Sequence, residues 1–301
     1  MELRHLRYFL AVAEERNFTR AAARVGIGQP PLSQQIRDLE AEVGTPLFRR
    51  LPQGAELTAA GRAFEAAIAR IPGQVADAVR AAQRAARGEI GALRVGFTGS
   101  AAMNPIVPAT IRTFRHRAPD VALTLSESNT TTLIAGLRDG SIDVAFIRPS
   151  ESDLQGLHAL ALLAEPLLAA VPTGHPALGQ DGAAPIDLRA LAQDHFILTP
   201  RAIGPCLFDA AISLCEAAGF TPRLGQAAPQ IASVLSLVAA TEGVSIVPAS
   251  MRQLSLEGVA YREISHVSAT VRLSLAHMSS NRSPLVQRFL AVGHDLIATG
   301  A

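Results

Sequence analysis

The stretch that decides the fold reads FTRAAARVGIGQPPLSQQIRDLE at residues 18–40 and continues with PLFRR at residues 46–50. Thr19 is expected to cap a first helix through its hydroxyl, with Phe18 before it as a hydrophobic staple. Gly26 supplies the left-handed residue that ends this helix. The two prolines after Gln29 are tolerable only in a first turn, so a second helix begins there. Two short helices joined by about three residues with a glycine form a helix-turn-helix.

The second helix has two faces of different chemistry. Apolar side chains at steps of four, three and four residues predict one buried stripe, which consists of Leu32, Ile36, Leu39 and Val43. Gln29, Ser33 and Arg37 fall on a separate polar line, as a helix in a DNA major groove requires. A helical hairpin with a solvated polar face is the alternative that spacing alone leaves open. A Ser33 packed inside its own subunit, away from any groove-sized surface, would contradict the DNA-reading interpretation.

A hairpin is predicted after this helix, because Pro52-Gln53-Gly54 offers turn chemistry between apolar runs in residues 46–58. We interpret it as a wing. Arg49 and Arg50 are candidates for phosphate or minor-groove contacts, and simple solvation is the alternative.

Ordered matches to a known family run through this region. They are Leu3 to Phe9, Phe18 to Ala22, Gln29 to Ser33, Ile36, Leu39-Glu40, Gly44 to Arg50 and Leu57 to Gly61. The segment resembles the winged helix-turn-helix of LysR-type transcriptional regulators. That resemblance implies that Gln29, Pro30 and Ser33 meet DNA, and Arg37 is added from its place on the helix face. It also implies a two-fold promoter site, contact with RNA polymerase, and a dimer or tetramer of the chain.

Residues 3–15 predict an amphipathic helix with an inward stripe of Leu3, Leu6, Leu10 and Ala13. Residues 58–87 predict a longer helix with a near-heptad seam, namely Phe64, Ile68, Ile71, Val75, Val79, Ala82 and Ala86. Such a seam is typical of a helix that pairs with its copy in a dimer, and an all-solvated helix is the alternative. Pro72-Gly73 predicts a kink or break near Ile71. A hinge is expected at residues 87–91.

Composition is that of an ordinary soluble protein, with 49% apolar and 18% charged residues in 301. No apolar run reaches the roughly 18 residues that a bilayer span needs, and the N-terminus lacks a signal-peptide core, so cytoplasmic localisation without membrane contact is expected. Cys206 and Cys215 suit a reducing compartment as free thiols. All basic residues are arginines; residues 1–90 hold 13 of them against 10 acidic residues, a net +3. This basic bias is weak for a DNA-binding unit.

The pattern after residue 90 changes to alternating strands and helices, which predicts a largely parallel sheet covered on both faces. The predicted strands lie near residues 93–97, 121–125, 142–146, 167–171, 196–198, 223–226, 245–247 and 271–276. Helices are expected near 106–117, 130–139, 205–218, 230–241 and 284–298. The resemblance implies a two-lobed, periplasmic-binding-protein-like effector domain. The expected class is therefore α+β multidomain: a winged helix-turn-helix at 1–58, a linker helix at 59–88 and an effector domain at 89–301, with lobe I at about 91–163 and 268–301 and lobe II at about 164–267.

A small-molecule site is expected where strands end. Gly99 and Ser100 follow the first strand at a helix start, which favours an anion, and Thr130 opens another helix. Arg148 follows the strand that ends near residue 146, at the edge where open α/β sheets bind ligands. A guanidinium pairs well with a carboxylate, so a small organic acid is predicted.

Pro200 and Arg201 are expected to face the same crevice from the second lobe. The chain is similar to the subgroup of regulators that respond to muconates, benzoates and chloroaromatic breakdown products, which implies that Ser100, Thr130, Arg148 and Pro200 line the pocket and that the acid is aromatic or dicarboxylic. Ser100 and Thr130 as helix caps, and Arg148 and Arg201 as surface ion pairs, are the alternatives.

The leading hypothesis is a DNA-binding regulator that senses a metabolite. An enzyme or a solute-binding protein that acts on a small carboxylate is the alternative. The sequence contains no Gly-x-Ser-x-Gly elbow, phosphate loop or dinucleotide fingerprint, so catalysis is not expected. No Cys/His cluster has zinc-ligand spacing, and no cofactor is expected apart from a small-molecule co-inducer.

Overall fold

The computed structural model describes residues 1–52, 54–179 and 184–299. The chain divides into two compact units, Met1–Arg84 and Ala85–Ala301. Among the helices of the described residues, none combines the length and the apolar character that crossing a membrane requires.

The first unit is a winged helix-turn-helix. Its elements are α1 (Leu3–Glu15), α2 (Phe18–Val25), α3 (Gln29–Val43), β1 (Phe48–Leu51), β2 (Gly54–Leu57) and α4 (Ala59–Ile68), and α5 (Ile71–Ala86) runs on into the second unit. β1 and β2 pair antiparallel as the predicted wing; Gln53, which was placed in its turn, lies outside the described residues. The predicted stripe of α3 is confirmed at Leu32, Ile36 and Leu39, which are fully buried.

Two local predictions in this unit are wrong. α2 begins two residues earlier than expected, and its cap is Asn17, whose Oδ1 accepts hydrogen bonds from the amides of Thr19 (2.9 Å) and Arg20 (3.0 Å). Thr19 therefore is no cap. The predicted stripe of α1 is confirmed at Leu6 and Ala13, which are buried, but Leu3 is 47% exposed. Phe9 and Val12 are fully buried instead, because α1 packs on an aromatic cluster in which the Phe9 ring lies 5.0 Å from those of Phe48 and Phe64.

The predicted break in the long helix is confirmed. α4 ends at Ile68 and α5 begins at Ile71, so Pro72 occupies the first turn of α5, where its missing N–H group costs nothing. The predicted seam is wrong in its first part, because Ile68 is buried and Phe64 packs against Phe9 in the core of the first unit. α5 has no buried residue, and Val75 and Val79 of the seam are 37% and 52% exposed.

The second unit is built on one mixed eight-stranded sheet and a short two-stranded one. Its strands are β3 (Gly91–Phe97), β4 (Val121–Glu127), β5 (Val144–Ile147), β6 (Leu157–Pro172), β7 (Ile186–Asp187), β8 (His195–Phe196), β9 (Arg223–Leu224), β10 (Ser245–Pro248), β11 (Val259–Ser265) and β12 (Thr270–Met278). Its helices are α6 (Gly99–Ala102), α7 (Ile106–Arg117), α8 (Thr130–Asp139), α9 (Pro205–Ala217), α10 (Ile231–Ala239) and α11 (Pro284–Thr299). The large sheet has the order β4-β3-β5-β12-β6-β11-β7, with β10 paired to β6.

The expectation of a largely parallel sheet is wrong. β3 pairs parallel with β4 and β5, but β6 pairs antiparallel with β10, β11 and β12. The first half of β6 and all of β11 are absent from the predicted strands, and they pair antiparallel with β12 and with the second half of β6. β6 is 16 residues long and connects the two halves of the unit.

The final elements return to the first half. β12 pairs with β5, and α11 packs on α7 through Phe289, whose ring lies 5.0 Å from that of Phe114 and 5.9 Å from that of Phe146. A second core forms around β10, α9 and the second half of β6, with Ala169, Val171, Phe196, Ala211 and Val244 buried in it. The carboxyl ends of β3 and β5 meet between these cores.

Candidate nucleic-acid interface and anion-binding cleft

The first turn of α3 presents the predicted DNA-reading face. Gly28 is the N-cap, and two prolines follow Gln29 in the first turn. Gln29, Pro30 and Arg37 are exposed. Their placement agrees with the prediction of a surface that enters a groove.

Ser33 does not lie on the exposed line where the sequence placed it. Its side chain is 4% exposed, and its Oγ accepts a hydrogen bond of 3.0 Å from Nε2 of Gln29. Ser33 is thus packed inside its own subunit, but its hydroxyl holds an exposed glutamine rather than turning away from the surface. The geometry gives Ser33 the part of orienting Gln29, and direct contact of Ser33 with DNA stays a prediction.

Gln34 is a further exposed residue of this helix that the sequence prediction did not include. Nη2 of Arg37 donates to Oε1 of Gln34 at 2.5 Å, and Nε2 of Gln34 donates to Oδ1 of Asp38 at 2.7 Å. Gln34 is exposed one residue after Ser33. Its amide side chain could have indicated it in the sequence, but the i, i+4, i+8 spacing that starts at Gln29 does not include position 34.

Both wing arginines are exposed, and each contacts another side chain of the first unit. Nη2 of Arg49 lies 2.6 Å from Oε2 of Glu56 across the hairpin, with the Arg49 side chain 69% exposed. The Arg50 guanidinium lies 4.8 Å above the ring of Phe18, a cation–π contact that orients it. An exposed ion pair contributes only about 0–1 kcal/mol, so a phosphate can replace Glu56 at little cost.

A cleft with a cavity volume of about 50 Å³ lies where strand ends and helix starts of the second unit meet. Its lining includes Thr98, Gly99, Ser100, Ser128, Asn129, Thr130, Arg148, Thr199, Ile203, Gly204, Cys206, Leu207, Gln230 and Ile231. The structure thus brings together four of the six predicted residues, Gly99, Ser100, Thr130 and Arg148. Ser100 and Thr130 are not the caps of their helices, because Thr98 caps α6 and Asn129 caps α8.

Arg148 is the one charged residue among the described residues that line this cleft. Its side chain is 2% exposed, and its Nη2 donates to Oε2 of Glu165 at 2.6 Å. Its Nε and Nη1 are buried and have no hydrogen-bond partner. Burial lowers the pKa of the Arg148 guanidinium, and the negative charge of Glu165 opposes that effect. The alternative of a surface ion pair is therefore wrong for Arg148.

Glu165 is itself buried, at 4% exposure, near the middle of β6. Its Oε2 also accepts a hydrogen bond of 3.3 Å from Nδ2 of Asn104, and its Oε1 accepts one of 2.5 Å from the amide of Ser250. This network holds the guanidinium in place, while Nε and Nη1 of Arg148 stay without a hydrogen-bond partner. Glu165 and Asn104 belong to no local motif, so the sequence gives no signal for either.

Pro200 and Arg201 do not line the cleft. Nε and Nη2 of Arg201 bind Asp209 at 2.7 and 3.0 Å, and the arginine side chain is 66% exposed. The alternative of a surface ion pair is thus correct for Arg201. The turn formed by residues 200–204 folds back on itself, because the Pro200 carbonyl accepts hydrogen bonds from the amides of Ile203 and Gly204, and so it presents Thr199 and Ile203 instead.

The lobe II side of the cleft has an apolar character that sequence analysis missed. Ile203, Leu207 and Ile231 form this wall together with the half-buried thiol of Cys206. Burial raises the pKa of the Cys206 thiol despite the nearby charge of Arg148, which keeps it neutral. The opposite wall carries the hydroxyls of Thr98, Ser100 and Thr130, so the cleft suits a ligand with an anionic end and an apolar body.

The fold and these two sites define a helix-turn-helix unit joined to a ligand-binding α/β unit, the organisation of a ligand-responsive regulator. The chain belongs to the LysR family of bacterial transcriptional regulators: residues 3–62 match the "Bacterial regulatory helix-turn-helix protein, lysR family", and residues 86–296 match the "LysR substrate binding domain". It is a DNA-binding regulator and not an enzyme.

The chain is 38% identical to the HTH-type transcriptional regulator BudR of Raoultella terrigena, over 96% of this chain and 99% of BudR. It is 36% identical to AlsR of Bacillus subtilis, over 98% of this chain and 96% of AlsR. The solved structure of full-length CbnR in complex with its target DNA is 29% identical, with a TM-score of 0.81 over 99% of this chain and 100% of that one.

Proposed function

We infer that this regulator acts in the cytoplasm as a dimer or tetramer on a two-fold promoter site, and that a small organic carboxylate in its cleft changes its contact with RNA polymerase. The DNA part is supported by the likeness to CbnR, which was solved with its target DNA. The ligand part is carried by the two unpartnered nitrogens of Arg148.

Those nitrogens argue for an anionic ligand because a buried N–H group without a partner costs about 1–3 kcal/mol, and more when charged. A carboxylate that accepts from Nε and Nη1 removes this cost with charge-assisted hydrogen bonds. The hydroxyls of Ser100 and Thr130 do not cap their helices, and both residues line the same cleft. They can donate to the second carboxylate oxygen or to another polar group of the ligand.

The ligand proposal is tested by thermal unfolding of the full chain with sodium benzoate, cis,cis-muconate and the neutral analogue benzamide. A binding acid raises the melting temperature by mass action, and benzamide leaves it unchanged. R148M is expected to lose at least tenfold in affinity for that acid, or about 1.4 kcal/mol. The matched variant R201M, whose arginine lies outside the cleft, keeps wild-type affinity. An acid that binds R148M and the wild type equally overturns the assignment.

The DNA proposal is tested on duplex fragments of the promoter that the wild type occupies. R49A should weaken binding to all sequences and reduce the salt slope by about one ion. Q29A should instead relax discrimination at one base pair by about 1–3 kcal/mol and leave the slope unchanged. Equal losses on specific and non-specific duplex for Q29A would contradict base reading by α3.

A further inference from the structure

The carboxylate that holds Arg148 also holds the start of a helix. Asn104, 6% exposed, donates from Nδ2 to Glu165 and accepts at Oδ1 a hydrogen bond of 3.2 Å from the amide of Ile106, the first residue of α7. Glu165 thus connects the ligand-facing guanidinium to the N-terminus of α7. A change in the hydrogen bond between Arg148 and Glu165 therefore affects the hydrogen bond between Glu165 and Asn104.

The other end of α7 is tied to the segment that follows the linker helix. Nη2 of Arg288 donates to the carbonyl of Arg117, the last residue of α7, at 3.0 Å. Nη1 of the same guanidinium donates to the carbonyls of Gly88 at 2.8 Å and Arg87 at 3.4 Å, directly after α5 ends at Ala86. The Arg288 side chain therefore binds backbone carbonyls at the C-terminal ends of both α5 and α7.

Residues 87–88, which we call the exit segment, also pack against the backbone of α11. Gly88 has a φ of +64°, and a Cβ there would lie 2.9 Å from the carbonyl carbon of Pro284. Only glycine permits that close approach. The position of residues 87–88 is consequently set by α11 and by Arg288, and not by the linker helix alone.

α7 is a stiff connection between its two anchored ends. Its 12 residues span about 18 Å at the helical rise of 1.5 Å per residue. Phe114 and Thr110 are buried along it, and Phe114 packs edge-on against Phe289 of α11. A shift imposed at Asn104 therefore moves the Arg117 carbonyl rather than dissipating within the helix.

We propose that α7 carries the state of the ligand site to the exit of the linker helix, with Asn104 and Arg288 as the positioning residues at its two ends. The inference rests on the proposed role of Arg148 in ligand binding. A carboxylate at Nε and Nη1 of Arg148 competes with Glu165 for the guanidinium charge, Glu165 changes its hold on Asn104, and α7 passes the displacement to Arg288 and the Gly88 carbonyl. Coupling of this kind requires contiguous packed and hydrogen-bonded groups, and these contacts supply them.

The test needs no ligand, so its outcome is independent of whether a carboxylate binds. Arg87 has an exposed side chain, and trypsin cleaves the Arg87–Gly88 bond only when the segment lifts from Arg288. The full chain is digested well below its melting temperature, and the rate at this bond is followed by mass spectrometry. R288M is expected to raise that rate at least tenfold, and R288K to restore part of the protection. R272M, which changes an exposed arginine of β12, stays at the wild-type rate.

The decisive variant lies at the far end of α7. N104D keeps the oxygen that caps Ile106 but replaces the donor to Glu165 with a like charge, and it should raise the Arg87–Gly88 rate about threefold or more. Because both residues act along one path, N104D/R288M should cleave no faster than R288M alone. An N104D rate equal to that of the wild type, or rates that multiply in the double variant, overturn the proposal. Loss of protection at every tryptic site of N104D would overturn it too, since it would report general unfolding.

Discussion

At the residue scale, the buried Arg148–Glu165 pair decides what the cleft can hold. Arg148 follows β5 and Glu165 lies within β6, so the two are 17 residues apart in the chain and meet only through packing. Arg148 was found from its place after a strand, whereas Glu165 has no such signal. The same limit explains Arg201, for which the chain order could not reveal Asp209 as its partner.

This pair makes a prediction about stability. R148M leaves Glu165 as a buried charge without its main partner, so the free energy of unfolding should fall by about 3–5 kcal/mol. R148M/E165M removes the unpaired buried charge but leaves the donors of Asn104 and Ser250 without their acceptor, so it should recover only part of that loss. Urea unfolding of the full chain measures both. A double variant that is less stable than R148M would contradict the account of the pair.

At the scale of elements, helix ends and periodic stripes were predictable, while strand pairing was not. The proline pair starts α3 and Pro72-Gly73 interrupts the linker, because a missing N–H group acts within one turn. The face of α1 was predicted at Leu6 and Ala13, but its centre lies on Phe9 and Val12, because Phe9 packs against Phe48 and Phe64.

Two glycines of adjoining helices allow a matched prediction. At Gly73 of α5 a Cβ would meet nothing within 4 Å, whereas at Gly61 of α4 it would collide with the Leu47 carbonyl oxygen. G73A should therefore stabilise the first unit by about 0.5–1 kcal/mol through lower entropy of the unfolded chain. G61A should destabilise it by about 1–3 kcal/mol. Urea midpoints of the first unit test both, and a destabilising G73A would show that Gly73 is needed for the break.

At the scale of the whole molecule, the exposed seam of α5 predicts self-association. Val75 and Val79 are exposed apolar residues on a helix that has no buried residue. Such exposure is expected if a second copy of the chain covers them. V79D should shift the protein toward monomer in light scattering and weaken binding to a two-fold DNA site. A81D, an equally exposed position off the seam, should leave the mass unchanged. A dimeric V79D with full affinity would remove the seam from the interface.

Local sequence patterns were enough to predict the family, the helix-turn-helix with its wing, the break in the linker and the strand ends that carry Gly99, Ser100, Thr130 and Arg148. Each of these is written in residues that lie within a few positions of one another, where backbone sterics and periodicity act. Only the tertiary structure decided that β6 runs antiparallel through the sheet, that Ser33 is buried behind Gln29, and that Glu165 and Asn104 stand behind Arg148. Those features depend on how the elements pack against one another, which local propensity does not encode.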